Sequence, residues 1–261
     1  MRGVFVTGTD TGVGKTVVAA SIVTTLRARG EPVRAFKPVV TGTDEPDPDW
    51  PADHELLAAA AGMKPGEVTP VTFGPAVSPH LAAEIAGTPI EPADLVAHAR
   101  ALGEPLVAEG VGGLLVPLTT GYSVRDLAVD LGLPLVIAAR PGLGTISHTL
   151  LTVEAARAVG LDVRCVVLTP WPGDPTAIER SNRATIEQLA GVPVHALREV
   201  SPDTFTTRYR AGRSTISTTR ACSHPCVATS RPAISNVYDR MPPTLPPICS
   251  ICARRLLRAT T

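Results

Sequence analysis

The chain has 261 residues, 44% of them hydrophobic, and a formal net charge of zero, which suits a globular protein with one α/β domain and a full core. It contains no apolar run of 18 residues, so the sequence predicts no membrane-spanning helix. Met1-Arg2-Gly3 leads directly into the first predicted strand, leaving no room for a signal sequence. We therefore expect a cytoplasmic protein without membrane association.

The first predicted strand runs into a glycine-rich turn, residues 7–16 with the sequence TGTDTGVGKT, and then into an Ala/Val-rich helix. This order is the context of a phosphate-binding loop, whose backbone N–H groups surround phosphate oxygens at a helix N-terminus. The usual spacing would place a glycine at Thr9, and Gly8 is one residue further away, so the loop is a variant. We predict that Lys15 reaches the β- and γ-phosphates and that Thr16 binds Mg²⁺. The nucleotide-binding residues predicted in this loop are Gly12, Val13, Gly14, Lys15, Thr16 and Val17.

The rest of the first 200 residues alternates predicted helices and strands. Helices are expected at 17–29, 53–60, 145–159 and 175–189, and strands at 33–37, 106–110, 134–139, 163–168 and 192–195. Continuous apolar strands separated by helices indicate a parallel sheet covered on both faces. We therefore predict a single α/β domain like that of the P-loop NTPases, over residues 1–205. Ligands bind beyond the carboxyl ends of such strands, where residues 8–16, 37, 109, 140–145 and 169–171 are expected to meet.

Two carboxylates at that edge predict a metal site. Mg²⁺ prefers hard oxygen ligands and keeps few protein contacts, so Thr16, Asp53 and Glu109 would share it with phosphate oxygens and water. The alternatives are a helix N-cap for Asp53 and a solvated acid at a strand end for Glu109. The glycines after Glu109 permit close approach of the backbone to a nucleotide, and we expect contacts from Gly110, Val111 and Gly112.

Five segments carry a resemblance to a known family: residues 7–16 (TGTDTGVGKT), 36–42 (FKPVVTG), 78–80 (SPH), 109–113 (EGVGG) and 142–148 (GLGTISH). In this order they resemble the dethiobiotin synthetases over residues 1 to about 205. The resemblance implies a homodimeric ATP- and Mg²⁺-dependent ligase of biotin biosynthesis. Its members close the ureido ring of dethiobiotin from 7,8-diaminopelargonate and CO₂.

This chemistry needs no protein nucleophile. A substrate amine captures CO₂ as a carbamate, the carbamate oxygen attacks the γ-phosphorus, and the second amine displaces phosphate. The protein must position two anions and stabilise charge during phosphoryl transfer, which is work for lysines, Mg²⁺ and oriented amides. The resemblance implies that Lys37 faces the carbamate and that Lys15 serves the phosphates. It also implies substrate contacts from Thr11, Lys37, Thr41 and Pro79.

The turn at residues 142–145 precedes a helix and offers free N–H groups to an anion. The alternative is a structural strand-to-helix turn with Thr145 as the cap. The resemblance implies that the partner subunit's turn receives the distal carboxylate of the substrate. The active site would then lie at a dimer interface, with contacts from Gly144, Thr145, Ile146 and Ser147.

One departure from the family concerns the nucleobase. Many relatives carry Asn at the position of Thr169, whereas residues 169–172 here, TPWP, offer one hydroxyl and an aromatic side chain. We expect Thr169 and Pro170 to contact the nucleotide.

The other departure is the segment 206–261, which does not resemble the family. Residues 201–261 carry nine arginines and two acids, against 15 basic and 22 acidic residues before them, and they hold four of the five cysteines. We expect a poorly ordered tail and hypothesise that it is translated in a shifted reading frame. Alternatives are a zinc module formed by the four cysteines or a nucleic-acid contact, and we expect no nucleic-acid partner. The cysteines are Cys222, Cys226, Cys249 and Cys252.

Two other functions share the variant loop. A corrinoid amidoligase would need an attached glutaminase domain, for which the chain has no space. Partition or targeting ATPases carry a lysine where this chain has Asp10, and they lack the segment 37–42, KPVVTG. Both remain alternatives to the ligase.

Overall fold

The computed structural model describes residues 1–205, so the predictions made for residues 206–261 lie outside the described residues. Strands and helices alternate along the described part, as the sequence predicts. The elements are β1 (Gly3–Gly8), α1 (Lys15–Ala28), β2 (Arg34–Phe36), β3 (Val39–Val40), α2 (Asp53–Ala61), α3 (Pro65–Val68), β4 (Val71–Thr72), α4 (Pro79–Ala86), α5 (Pro92–Leu102), β5 (Leu106–Glu109), β6 (Pro117–Thr119), β7 (Tyr122–Ser123), α6 (Val124–Leu131), β8 (Leu135–Ala139), α7 (Thr145–Arg157), β9 (Val163–Trp171), α8 (Ala177–Ala190) and β10 (Val194–Arg198).

Six parallel strands form the central sheet, in the order β10–β9–β8–β1–β5–β2. The predicted parallel α/β fold is therefore confirmed. Strand β1 lies between β8 and β5, with Phe5 opposite Leu135 on one side and Ala108 on the other. The loop after β1 consequently begins at the middle of the sheet, close to the ends of both neighbours.

Alternating side chains of each strand fill two cores, one on each face of the sheet. Phe5 packs in the core that includes residues of α5 to α8, whereas Val4 and Val6 pack in the core formed with α1 and α2. The period of two along a strand explains this division. Both faces are apolar because both are covered, and this is why the strands appear as continuous apolar runs in the sequence.

Several short elements were not predicted. The parallel pair β3–β4 and the antiparallel pair β6–β7 lie outside the central sheet, and their two or three residues are too few for a periodic pattern. Strand β9 continues to Trp171 instead of ending at residue 168, so Thr169 and Pro170 lie inside the strand. No helix among residues 1–205 combines the length and apolar character needed to cross a membrane.

Two proposed helix caps are wrong. Ala52 is the N-cap of α2, and Asp53 is the first helical residue, so its carboxylate is free to point away from the helix end. Gly144 is the N-cap of α7 with a φ of 84°, which makes Thr145 the first helical residue. Glycine takes this left-handed conformation at little cost, and threonine does not.

Candidate active site

The phosphate-binding loop connects β1 to α1 at the carboxyl edge of the sheet. Gly12 and Gly14 have φ values of 67° and 85°, which turns the backbone so that the start of α1 faces the cavity described below. Gly14 is the N-cap of α1 and supplies no side-chain acceptor to the first N–H groups. These groups and the positive end of the helix dipole suit an anion.

Two cations hold the outer half of the loop. Lys15 Nζ donates to the Asp10 carbonyl at 2.8 Å, and Arg140 Nη2 donates to the Thr11 carbonyl at 2.9 Å. Burial lowers the pKa of Lys15 to about 8, and the neighbouring positive charge of Lys37 acts in the same direction. A bound anion would therefore stabilise the charged form of Lys15 more than it would stabilise an exposed lysine.

A buried ionic cluster lies below the loop, centred on Lys37 at the end of β2. Its ammonium nitrogen lies 2.7 Å from Asp53 Oδ2 and 2.6 Å from Glu109 Oε1, and it also donates to the Gly110 carbonyl at 3.0 Å. Burial by itself would lower the pKa of Lys37, but the two carboxylates outweigh it and raise the pKa. The ammonium is therefore charged at every physiological pH.

The two carboxylates differ in exposure, and their pKa values shift in opposite directions. The side chain of Glu109 is 0% exposed and that of Asp53 is 41% exposed. Burial raises the pKa of Glu109. For Asp53 the burial effect is overcome by the charge of Lys37, which lowers the pKa to about 2. Asp53 is thus ionised at neutral pH.

The Thr16 hydroxyl connects both carboxylates. Thr16 Oγ1 lies 2.6 Å from Asp53 Oδ1 and 2.9 Å from Glu109 Oε1, although a hydroxyl has only one proton to donate. Three oxygen atoms therefore converge, and Glu109 Oε2 is buried without a hydrogen-bond partner. Among the described residues no three His, Cys, Asp or Glu side chains form a metal cluster, so a cation here would rely on the two carboxylates, the hydroxyl and ligands that the nucleotide and water bring.

A cavity of about 660 Å³ adjoins both the loop and the ionic cluster. Many of the predicted site residues line it, from the nucleotide side and from the substrate side. These are Thr11, Gly12, Gly14, Lys15, Thr16, Val17, Lys37, Thr41, Asp53, Pro79, Val111 and Gly112.

The other predicted residues lie elsewhere. Val13 is buried in the core below the loop, Glu109 and Gly110 reach the site through Lys37, and Pro170 is exposed. Thr169 is buried against the loop, where its Cγ2 atom would lie 2.7 Å from a Cβ atom placed on Gly14. The turn that contains Gly144, Thr145, Ile146 and Ser147 does not line the cavity of its own chain.

This turn is held by a residue that the sequence did not identify. Asn182 of α8 is buried and donates its side-chain amide to the Pro141 carbonyl at 3.0 Å and to the Gly142 carbonyl at 3.1 Å. The hydroxyl of Thr145, the first residue of α7, is buried without a hydrogen-bond partner. A polar side chain in the middle of an amphipathic helix was the available signal for Asn182.

Trp50 was also missed, although it lines the cavity beside Asp53. It belongs to an acidic, proline-rich loop whose composition resembles a solvated connection. Its large apolar side chain, three residues before a predicted metal ligand, was the signal.

Comparisons with known proteins agree with this geometry. A family model described as an AAA domain matches residues 2–203. A protein named ATP-dependent dethiobiotin synthetase from Anaeromyxobacter dehalogenans is 44% identical over 209 residues, which cover 78% of this chain and 92% of the relative. Proteins of the same name from an Anaeromyxobacter species and from Bacillus subtilis are 46% and 36% identical, covering 74% of this chain in both cases and 91% and 85% of the relatives.

The resemblance found in five sequence motifs is thus confirmed over the whole described domain. The relatives are matched over more than four fifths of their length at identities well above 30%. The chain belongs to the ATP-dependent dethiobiotin synthetases.

Proposed function

We propose that the protein uses ATP, CO₂ and 7,8-diaminopelargonate to form dethiobiotin, ADP and phosphate in the cytoplasm. The observation that carries this proposal is the single cavity between the phosphate-binding loop and Thr41, with Lys37 at its floor. Two anions, a carbamate and a triphosphate, have to meet end to end in such a reaction. A cavity with a loop for phosphate at one end and a buried lysine between the two ends suits that requirement.

The two lysines would stabilise different negative charges. Lys15 lies at the start of α1 and would leave the Asp10 carbonyl for the phosphate oxygens. Lys37 lines the same cavity as Thr41, and there it would stabilise the carbamate oxygen as that oxygen bonds to the γ-phosphorus and the bond to ADP breaks. The second amine then attacks the carbonyl carbon, phosphate leaves, and the amine's proton passes to solvent or to phosphate.

The residues present fit a magnesium ion. Thr16 Oγ1, Asp53 Oδ1 and Glu109 Oε1 are hard oxygen ligands, and the two carboxylate oxygens lie 2.6 Å and 2.9 Å from the hydroxyl. The carboxylates hold the Lys37 ammonium between them, so this position favours positive charge. When bound, Mg²⁺ would neutralise phosphate charge during the transfer. Thr16, Asp53 and Glu109 would hold it.

The substrate carboxylate would be bound by a second subunit. The helix N-terminus at Gly144 to Ser147 offers N–H groups to an anion but does not line its own chain's cavity. Leu143 beside it is 88% exposed and Leu151 of the same helix is 60% exposed, an apolar surface that suits burial against another copy. We therefore propose a homodimer with two shared active sites.

The activity is tested by diaminopelargonate-dependent ADP release in the presence of bicarbonate. We expect Lys37→Ala to reduce this rate by ~10²–10³, as when a preorganised charge stabiliser is removed. Lys64→Ala is the matched control, because Lys64 is exposed beside α3. ADP release that does not depend on the diamine in the wild type would reject the proposal.

The shared site is tested by mixing two defective variants. Lys37→Ala removes the charge at the cavity, and Ser147→Asp places a negative charge where the partner's carboxylate site is proposed. Each variant alone should be inactive. In a mixed dimer one site combines the unchanged Lys37 of one subunit with the unchanged Ser147 of the other, so this site is intact. Reassociated mixtures should then regain about a quarter of the wild-type rate, since half of the dimers are mixed and each contains one intact site. Mixtures with no recovery would place both residues in one subunit's site.

A further inference from the structure

The exposure of the ionic cluster changes sharply across it. Lys37 and Glu109 have side-chain exposures of 2% and 0%, whereas Asp53 is 41% exposed. Asp53 lines the cavity beside the phosphate-binding loop, so its exposed side chain faces the space in which phosphoryl transfer is proposed. A group that excludes water from this space has to line the same cavity.

Trp50 stands in that position. It precedes Asp53 by three residues and lines the same cavity as Thr16 and Lys37. It is the only aromatic side chain among the described residues that line this cavity. The indole is partly buried and packs against the core that contains α1 and α2. It is therefore supported by the domain and is not free to move with the loop alone.

Trp50 also lines a second cavity, of about 340 Å³. Trp50 is the one residue among the described linings that belongs to both cavities. The other residues of the second cavity are mostly acids and prolines: Asp47, Pro48, Asp49, Pro51, Pro202 and Asp203. Trp50 thus lies at the border between a recess lined by acids and prolines and the cavity that contains the lysines.

We propose that Trp50 is a specificity-determining residue that favours the carbamate over water as the acceptor of the γ-phosphoryl group. This rests on the proposed function. In the competing reaction a water oxygen bonds to the γ-phosphorus, the bond to the bridging oxygen of ADP breaks, and a water proton passes to solvent. That reaction consumes ATP without forming dethiobiotin. An apolar wall beside Asp53 lowers the number of water molecules in line with the phosphorus.

The inference is tested by the ratio of ADP released to dethiobiotin formed, which is one when each transfer reaches the carbamate. We expect Trp50→Ala to raise this ratio by about tenfold through diamine-independent ATP hydrolysis. Trp50→Phe keeps an aromatic wall and should leave the ratio within about twofold of the wild type. Asp49→Asn is the matched loop control. Asp49 lines the second cavity and not the first, so this variant should leave the ratio unchanged.

The other outcomes overturn the inference. Equal losses of ADP and dethiobiotin in Trp50→Ala and Trp50→Phe would mean a structural role. A higher KM for ATP with an unchanged ratio would mean a nucleotide contact. If the wild type forms dethiobiotin and Trp50→Ala keeps its ratio, this inference alone fails. If the wild type forms no dethiobiotin at all, the proposed function fails and Trp50 loses the role with it.

Discussion

The Lys37 ammonium nitrogen lies 2.6 Å from Glu109 Oε1, and both side chains are almost completely removed from solvent. Desolvating two ions costs free energy that their mutual attraction roughly repays. The pair therefore adds little net stability, but neither member is stable there without the other. Lys37 also lines the cavity beside the phosphate-binding loop, so the pair fits a role in the chemistry proposed there.

This pair predicts a stability loss in Lys37→Ala that is separate from the loss of activity. The substitution leaves Glu109 buried without its counter-charge and should reduce the free energy of unfolding by ~3–5 kcal/mol. Urea denaturation measures it, with Lys64→Ala as the surface control, expected within about 0.5 kcal/mol of the wild type. A loss below about 1 kcal/mol for Lys37→Ala would show that water reaches Glu109 after all.

The low pKa of Lys15 predicts a pH-dependent affinity for nucleotide. Burial lowers it from 10.5 to about 8 in the folded protein, so the free loop loses its positive charge as the pH rises above 8. The dissociation constant for ADP should then increase by up to about tenfold per pH unit between pH 8 and 10. Titration calorimetry across this range measures it, and Lys15→Arg should give a nearly constant value because arginine stays protonated.

The same shift has a consequence for stability, with the opposite sign. Between pH 8 and 10.5 the unfolded chain keeps the Lys15 proton that the folded chain has lost, so the free energy of unfolding gains a term that rises with pH. Below pH 8 the burial penalty of the charged form is fully present. Lys15→Met should remove this contribution. An identical slope of unfolding free energy against pH in Lys15→Met and the wild type would contradict the assignment.

Gly14→Ala should lower the free energy of unfolding for two reasons that can be measured separately. A Cβ atom at Gly14 would lie 2.7 Å from Thr169 Cγ2, and the residue has a φ of 85°. Gly191 has a φ of 64° and nothing within 4 Å, so Gly191→Ala should cost only the conformational ~1–2 kcal/mol. Gly14→Ala should cost more by the overlap with Thr169.

The steric overlap with Thr169 can be removed without changing the backbone conformation required at residue 14. Thr169→Ser deletes the Cγ2 methyl group, and in the Gly14→Ala background it should recover most of the difference between the two glycine variants. A double-mutant cycle on unfolding free energies measures this coupling. Strictly additive effects would mean that the Thr169 methyl moves aside at no cost.

Substitution of Asn182 should affect the proposed carboxylate site, although Asn182 lies outside it. Asn182→Ala loses two hydrogen bonds to the turn and should cost ~1–2 kcal/mol. Asn182→Asp should cost more, because its carboxylate would face two carbonyl oxygens. Steady-state kinetics should show a higher KM for the diamine at an unchanged KM for ATP. Equal changes in both KM values would instead indicate a general loss of structure.

The parts of the site that lie within one segment were predictable from the sequence. The strand, the glycines, Lys15 and Thr16 follow one another in residues 4–16, and their roles depend on local backbone geometry. The predicted strands of a parallel sheet also placed Lys37 and Glu109 at strand ends on one edge of that sheet. Their contact at 2.6 Å required the strand order, which places β2 beside β5.

The sequence by itself determined the family, the α/β class and the phosphate-binding loop, because these depend on residue types at short, fixed spacings. Only the tertiary structure decided that Lys37 is bound between Asp53 and Glu109, that Asn182 holds the turn before α7, and that Trp50 lines two cavities. These contacts join residues far apart in the chain. Burial and strand order set them, and neither is encoded in any single segment.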